Sequence, residues 1–288
     1  MQFSNFWDYR RIIFSKSFAS AVWRSRQNVL AYGRGRPPAA GPYMAELDIT
    51  YQCNCRCQMC QRWKDPRGDE LSADEYKALA NVLHEMGSHQ ISIAGGEPLL
   101  RDDVFTIIES FSGLEMSANL CTNGLLIKNY HDEICKSGAT CVTVSLDGAS
   151  AERHDHIRGL PGSYAQIEEG IRRLLVHPAS SRPIIRVRMT ISNRNVNEMR
   201  AFYQKWNHVV DDVLFQPVHH CREAFYTGMD ADALYLDPQL ISEQISDTPL
   251  EKDGYMKRLV ESLKSCGSFP HHQCYAAVLM ARIDPPTV

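Results

Sequence analysis

The 288-residue chain contains no apolar run of eighteen or more residues, so the sequence predicts no transmembrane helix. It shows no secretory signal, which needs a basic start, an apolar middle and a cleavage site of small residues. Its formal net charge is -3, so it lacks the basic excess with which general nucleic-acid binders neutralise phosphates. We therefore expect a cytoplasmic protein with no nucleic-acid partner.

Cysteine, by contrast, is concentrated in one place. Four of the ten cysteines lie in the sequence CNCRCQMC at residues 53–60. In a reducing compartment, clustered cysteines are more often metal ligands or redox thiols than disulfides. The cluster directly follows the strand-like run MAELDITY at residues 44–51. The sequence thus predicts a metal or redox site immediately after the first strand.

Residues 1–43 differ in composition from the rest of the chain. They contain seven Lys and Arg residues against one acid, interleaved with aromatic residues, and they end in the linker-like sequence GRGRPPAAGP. A basic amphipathic helix of this kind can lie on a membrane surface or on a partner. The alternative, which the aromatic face favours, is a leading helix that packs against the main domain.

The remainder alternates between strand-like and helix-like patterns. Strands are predicted at residues 44–51, 90–95, 116–122, 140–146, 184–191 and 211–218. Helices are predicted at residues 72–87, 102–112, 129–137, 163–176 and 195–207, the first with a capping box from Ser72 to Glu75. This order predicts an α/β fold with a parallel sheet, either open and doubly wound or most of a barrel.

Unusual residues follow these predicted strands. After the cysteine cluster come GGEP at residues 95–98, TNG at 122–124 and SLDG at 145–148, and the sixth strand ends in FQPVHHC. Because the carboxyl ends of parallel strands share one edge, we expect these segments to line one rim, where α/β enzymes carry their chemistry. Three side chains of the last segment are candidates for substrate contact: Gln216, His219 and His220.

Within the cluster, Cys53, Cys57 and Cys60 have the spacing C-x3-C-x2-C. Three thiolates can bind three irons of a cubane and leave the fourth iron open, whereas an electron-transfer cluster takes four cysteines. An open metal position is typical of a catalytic site. A structural zinc module or an electron carrier would use some of these thiols, but neither would explain the GGEP segment.

This spacing, together with GGEP after the second strand, resembles the radical SAM superfamily. The resemblance implies a partial (β/α)6 TIM-like barrel with parallel strands, and a 4Fe-4S cluster on Cys53, Cys57 and Cys60, with Cys55 outside the ligand set. It implies that S-adenosylmethionine is bound by the loop Gly95, Gly96, Glu97 and Pro98, whose glycines would allow the backbone to approach it closely. It further implies cofactor contacts from Met59, Asn123, Ser145, Asp147 and Arg158.

The chemistry implied by the family is reductive cleavage of S-adenosylmethionine to a 5'-deoxyadenosyl radical, which abstracts hydrogen from a peptide or small-molecule substrate. An electron donor such as flavodoxin or ferredoxin is the expected partner. We expect an apolar barrel interior around the reaction. The alternative function is that of a truncated, catalytically impaired radical SAM-like protein that only binds a partner.

The sequence predicts a core barrel at residues 44–220 and a C-terminal extension at residues 221–288. From Cys274, the sequence CYAAVLMARIDPPTV resembles the start of the SPASM extension, in which later cysteines complete auxiliary iron-sulfur clusters. The sequence ends at Val288, before any such cysteines. An auxiliary iron-sulfur cluster built from Cys221, Cys266 and Cys274 is therefore the less favoured alternative.

Overall fold

The computed structural model describes residues 16–36, 40–60, 62–64, 69–217, 236–266 and 280–283. The strands are β1 Met44–Asp48, β2 Gln90–Ala94, β3 Ser117–Thr122, β4 Cys141–Ser145, β5 Ile184–Ile191, β6 Asp212–Pro217 and β7 Met280–Ile283. The α-helices are α1 Lys16–Gly33, α2 Ala73–Met86, α3 Val104–Ser112, α4 Ile127–Lys136, α5 Ala151–Arg158, α6 Ser163–Val176, α7 Met199–Trp206, α8 Pro238–Ile245 and α9 Gly254–Cys266. Four candidate residues lie outside the described stretches: His219, His220, Cys221 and Cys274.

The strands form one parallel sheet in the order β6-β5-β4-β3-β2-β1-β7. From β1 to β6, each strand lies beside its neighbour in sequence, as in a β/α barrel, and helices separate them. The predicted α/β architecture, a partial TIM-like barrel built on six strands, is confirmed. One strand was not predicted: β7 pairs in parallel with β1, with Met280 beside Met44.

The helices begin and end where local sequence favours it. At α2, Ser72 accepts a hydrogen bond from the Glu75 amide, and the Glu75 carboxylate accepts from the Ser72 amide, which completes the predicted capping box. The helix ends at Gly87, whose φ of 86° is the left-handed conformation that glycine adopts most readily. Helix α5 was not predicted, because only two of its eight residues are apolar.

The side of the sheet that faces the helices carries the core. Alternate residues along the strands are aliphatic and fully buried: Ala45, Leu47, Ile91, Ile93, Ala118, Leu120, Val142, Val144, Ile185 and Val187. They belong to one cluster with the apolar faces of the helices, including Ile107 and Phe111 of α3 and Ile167 and Leu174 of α6. This period of two is the pattern from which the strands were predicted.

The opposite side of the sheet, called the inner face below, is polar. It is formed by Ser92, Asn119, Cys121, Thr143, Ser145, Arg186 and Arg188, which alternate with the core residues. Thr143 Oγ1 donates to Asn119 Oδ1 at 2.9 Å, and Arg186 Nε pairs with Asp212 Oδ2 at 2.6 Å. The expectation of an apolar interior was therefore wrong, since the period of two leaves polar residues on this face.

Helix α1 lies against the main domain through polar contacts. Asn28 is fully buried, and its side chain bonds to Ala40 and Gly41 at 2.9–3.1 Å. Arg24 occupies the space beside Gly87, where an added Cβ would come within 1.9 Å of the guanidinium. Trp23 remains 61% exposed. Across the described part of the chain, no helix combines the length and apolar character that crossing a membrane requires.

Candidate functional site

The loop that carries the cysteines continues the hydrogen bonding between β1 and β2 beyond the ends of both strands. The Gly96 amide donates to the Thr50 carbonyl at 2.7 Å, and the Glu97 amide donates to the Gln52 carbonyl at 2.8 Å. The cysteine loop and the GGEP loop are therefore joined backbone to backbone up to the residue before Cys53.

This close approach explains the two glycines. A Cβ at Gly95 would lie 2.3 Å from the Thr50 carbonyl oxygen, and one at Gly96 would lie 2.1 Å from that of Gln52. Gly95 also has a φ of +135°, which side chains rarely adopt. In this structure it is the cysteine loop itself that requires glycine at both positions.

Glu97 is fully buried and joins the GGEP loop to the TNG loop. Its Oε1 accepts hydrogen bonds from the Thr122 hydroxyl at 2.7 Å and the Leu99 amide at 3.1 Å, and its Oε2 accepts from the Asn123 amide at 2.6 Å. Burial raises the pKa of Glu97, while these hydrogen bonds act in the opposite direction. Within the described residues the Asn123 amide is the donor to Oε2, and a carboxylate oxygen can accept two hydrogen bonds.

The TNG loop is also tied to the cysteine loop. Asn123 Nδ2 donates to Asn54 Oδ1 at 2.7 Å, and Asn123 Oδ1 accepts from the Leu125 amide at 3.1 Å. Asn54, which lies between Cys53 and Cys55, was not singled out from the sequence. Its partner is 69 residues away, so no local pattern indicates the contact.

Arg158 brings a buried positive charge to the cysteine loop. Its Nε forms an ion pair with Asp147 Oδ2 at 2.6 Å, and its Nη1 lies 3.7 Å from the Cys57 sulfur. Asp147 has no exposed surface and also accepts from the Thr190 amide at 2.9 Å. Two residues predicted to contact the cofactor thus contact each other and a cluster cysteine.

The four thiols of the loop differ in acidity. Cys55 is buried, and hydrogen bonding to Cys53 and Cys57 raises its pKa far above that of an ordinary thiol. Hydrogen bonding from Cys55, helped by the charge of Arg158, lowers the pKa of Cys57 to about 6. Hydrogen bonding from Cys55 also lowers the pKa of Cys53, whereas burial raises that of Cys60. Cys55 is therefore the member of the loop that most strongly retains its proton.

The spacing of the thiols bears on what they can bind. Within the described residues, the sulfurs of Cys53, Cys57 and Cys60 do not form a group whose members all lie within 4.8 Å of one another. Sulfur ligands of one tetrahedral zinc ion, at Zn–S distances of about 2.3 Å, lie about 3.8 Å apart. The three sulfurs are therefore not gathered into the tetrahedral set that a single structural zinc ion requires.

The last turn of α5 is hydrogen-bonded to the backbone of the cysteine loop. The Arg56 amide donates to the Arg158 carbonyl at 3.1 Å, and the Gln58 amide donates to the Ile157 carbonyl at 2.9 Å. Gly159 ends the helix with a φ of 65°, and a Cβ there would lie 2.6 Å from the Arg56 carbonyl oxygen. These contacts between α5 and the cysteine loop were not predicted from the sequence.

The remaining predicted site residues lie around the same rim. Met59 is half-buried against the core, and Pro98 begins a short 3-10 helix after Glu97. Ser145, at the end of β4, accepts a hydrogen bond from Arg188 Nη2 at 3.3 Å. Arg188 was not predicted as a site residue, because its strand was identified only by its apolar alternation.

Comparison with known proteins agrees with this arrangement. The family model described as "Radical SAM superfamily" matches residues 47–200, which span all the loops described above. The chain belongs to the radical SAM superfamily. The assignment made from the sequence is confirmed, and with it the 4Fe-4S cluster and S-adenosylmethionine as the cofactors that this superfamily uses.

Among curated radical SAM relatives, the AdoMet-dependent heme synthase of Oleidesulfovibrio alaskensis is 36% identical over 130 residues, or 44% of this chain and 34% of that protein. The probable GTP 3',8-cyclase of Methanococcus vannielii is 27% identical over 210 residues, or 72% of this chain and 64% of that protein. The matched region thus spans between about one third and two thirds of these relatives.

The fold is similar to that of a longer protein of known structure. SuiB of Streptococcus suis, solved with bound S-adenosylmethionine, superposes with a TM-score of 0.63 at 13% identity. The match covers 95% of this chain and 57% of SuiB. At this level of identity, the likeness establishes the fold alone.

Proposed function

We propose that the chain is the catalytic part of a radical SAM enzyme in which Cys53, Cys57 and Cys60 bind a 4Fe-4S cluster. The observation that carries the proposal is the buried Arg158 guanidinium, 3.7 Å from the Cys57 sulfur and fixed by Asp147. A positive charge beside a thiol stabilises the thiolate, which is the form that binds metal. Hydrogen bonding to Cys53 and Cys57 raises the pKa of the Cys55 thiol, which supports leaving Cys55 outside the proposed ligand set.

The loops that meet the cysteine loop form the proposed cofactor pocket. Glu97 offers its second acceptor position on Oε2 to the amino group of S-adenosylmethionine, and Gly95, Gly96 and Pro98 shape the loop that presents it. Met59 supplies a flexible apolar surface for the adenine ring. Asn123 holds the pocket wall by bonding to Asn54, and the Ser145 hydroxyl borders the pocket from the end of β4.

The cofactors, once bound and supplied with one electron by a flavodoxin or ferredoxin, provide a 5'-deoxyadenosyl radical for hydrogen abstraction. The protein's part is to keep the reactants in place. Asp147 keeps the Arg158 guanidinium directed at Cys57, so the loop geometry does not depend on solvent. The backbone bonds from Gly96 and Glu97 keep the cofactor loop and the cysteine loop at a fixed separation.

The inner face favours a small polar substrate with an anionic group. Arg188 Nε is buried and has no hydrogen-bond partner within the described residues. A buried donor without a partner is costly, and an anionic group would satisfy it. Two curated relatives are named as a GTP cyclase and a heme synthase. GTP carries phosphates and heme carries carboxylates, so both molecules have anionic groups.

A modified peptide is the second candidate substrate. It is favoured by the sequence from Cys274, which resembles the start of the SPASM extension, and by the fold shared with SuiB, a protein also solved with its precursor peptide SuiA. The polar inner face and the curated relatives favour the small molecule.

Anaerobic reconstitution tests the proposal directly. Wild-type protein, Cys60→Ala and Cys55→Ala are incubated with iron and sulfide, and iron content is measured per chain. Dithionite and S-adenosylmethionine are then added, and 5'-deoxyadenosine is quantified. We expect about four irons and 5'-deoxyadenosine in the wild type and in Cys55→Ala, and loss of both in Cys60→Ala.

The paired variants come from the same loop, so a general loss of folding would affect both. Equal loss in Cys55→Ala and Cys60→Ala would contradict the ligand assignment. Four irons without 5'-deoxyadenosine in the wild type would support the alternative of a catalytically impaired binding protein. Zinc bound in place of iron would overturn the proposal.

A further inference from the structure

A second group of metal-ligand side chains lies away from the cysteine loop. His131 and Asp132 on α4 face His177, the residue that follows the last turn of α6. We call these three residues the His-Asp-His cluster. Each offers one ligand atom, and the three ligand atoms all lie within 4.8 Å of one another. Both histidines are about three-quarters buried, and Asp132 is 56% exposed.

The three ligand atoms form a nearly equilateral triangle. His131 Nδ1 lies 3.4 Å from His177 Nε2 and 3.3 Å from Asp132 Oδ1, and His177 Nε2 lies 3.2 Å from the same oxygen. In a tetrahedral zinc site with bonds of about 2.0–2.1 Å, neighbouring ligand atoms lie about 3.3–3.4 Å apart. The distances between the three ligand atoms therefore match one face of such a site.

The position of the cluster also favours a cation. His177 lies at the carboxyl end of α6, where the aligned peptide dipoles leave partial negative charge. Arg173 lies one turn earlier on α6. Its Nε donates to Glu169 Oε1 at 2.9 Å and its Nη1 donates to the Lys128 carbonyl at 3.2 Å, so the guanidinium is hydrogen-bonded to groups outside the His-Asp-His cluster. Two imidazoles and a carboxylate are ligands that zinc accepts readily.

After α6, the chain turns back to begin β5 at the amino edge of the sheet, opposite the edge that bears the cysteines. An ion here would be remote from the proposed chemistry. It would instead link the middle of α4 to the end of α6, two helices already joined by the bond from Arg173 to Lys128. In β/α barrels, catalysis is carried by the opposite edge, and residues at this edge serve stability.

We propose that His131, Asp132 and His177 bind one Zn²⁺ ion, with water as the fourth ligand, and that this ion fastens α4 to the end of α6. Cys135, one turn after His131, is not a ligand in this proposal. The site is separate from the cysteine loop and does not rest on the function proposed above.

Cobalt is the probe, because Co²⁺ replaces zinc in tetrahedral sites and its d–d absorption reports the ligands. Full-length protein with its cysteine loop loaded by iron-sulfur reconstitution is titrated with Co²⁺. The variants are His177→Gln and Asp132→Asn, with His208→Gln as the matched control, since His208 is exposed and outside the cluster. Melting temperatures are measured for all four proteins with and without Zn²⁺.

We expect one tetrahedral Co²⁺ per chain in the wild type and in His208→Gln, and a loss of affinity of at least tenfold in His177→Gln and Asp132→Asn. At a hundredfold excess of Zn²⁺ over its Kd, Tm should rise by on the order of 5 °C only where the site is intact. Because 5'-deoxyadenosine formation should be unchanged in His177→Gln, failure of the radical chemistry and failure of this site are distinguishable. Equal Co²⁺ binding in all four proteins, or thiolate charge-transfer bands in place of a nitrogen and oxygen spectrum, would overturn the proposal.

Discussion

The two faces of the sheet are built from the same strands but from opposite kinds of residue. On the helix-facing side, alternate residues are aliphatic and have no exposed surface. On the inner face, the residues between them are polar and bond to one another, as Thr143 does to Asn119 and Asn119 to Cys121. Neighbouring residues on one strand therefore have different roles. One packs in the core, and the next contributes to the polar inner face.

The difference indicates where the protein can tolerate change. Burial of each large apolar side chain on the helix-facing side contributes roughly 1.5–3 kcal/mol to the free energy of folding. This contribution depends on close packing. Hydrogen bonds of the inner face contribute less, because water competes for the same groups in the unfolded chain. We expect substitutions to separate into two classes that alternate along each strand.

The largest expected effect tests this alternation on β3. Leu120→Ala removes a fully buried side chain from the helix-facing side and should lower the free energy of unfolding by about 3.5 kcal/mol. Cys121→Ala, its neighbour on the inner face, should lower it by less than about 1 kcal/mol. Urea unfolding of both variants gives the two values, and similar losses would break the proposed difference between the faces.

The next effect concerns a polar group buried at the rim, where α5 meets the inner face. Burial lowers the pKa of His154 from its ordinary 6.5 to about 4, and its Nδ1 accepts from the Asp147 amide at 3.1 Å. Because the folded protein holds this imidazole neutral, its contribution is present above pH 6.5 and is lost as pH falls towards 4. Between pH 7 and pH 4, this lowers the free energy of unfolding by about 3 kcal/mol.

His154→Asn keeps an acceptor for the Asp147 amide but removes the titrating ring. The free energy of unfolding, measured by urea between pH 7 and pH 4, should fall by about 3 kcal/mol less in this variant than in the wild type. An identical pH dependence in both proteins would show that His154 does not contribute to acid sensitivity.

The smallest effect on stability is expected at Arg188, where the inner face is proposed to bind substrate. Arg188→Met removes the buried Nε that lacks a partner in the described residues, together with the hydrogen bonds to Ser145 and Gln216, so the free energy of unfolding should fall by about 1 kcal/mol. Binding of GTP, taken as the probe for an anionic small molecule and measured by calorimetry, should weaken at least tenfold. Unchanged GTP affinity would assign Arg188 to structure alone.

Much of the fold could be predicted because it is written in local patterns. From the alternation of apolar residues, the ends of six strands were predicted to within three residues of their positions in the structure. Ser72, Glu75 and Gly87 marked the ends of α2. Helix α5 was missed, because it is held by hydrogen bonds and an ion pair and has no apolar stripe. Its ends were nevertheless marked by Ser150, which caps the first turn, and by Gly159.

The candidate site likewise has features that local sequence predicts and features that it does not. The cysteine spacing and the GGEP segment are contiguous in sequence, so they predicted a location and a family. The contacts of Asn54 with Asn123 and of Arg158 with Cys57 join residues 69 and 101 positions apart, and they depend on which loops the sheet brings together. No local pattern gives that information, so these roles required the structure.

The backbone bonds that join the cysteine loop to the GGEP loop have a consequence for how the cluster is acquired. Ordering the backbone of one residue costs about 1–2 kcal/mol of conformational entropy. Residues 50–52 meet that cost through backbone hydrogen bonds to the GGEP loop, and these bonds involve none of the cysteine thiols. Zinc fingers, by contrast, fold only when their metal binds. We therefore expect the folded apoprotein to accept its cluster without a folding transition, so that iron delivery and chain folding are separate events.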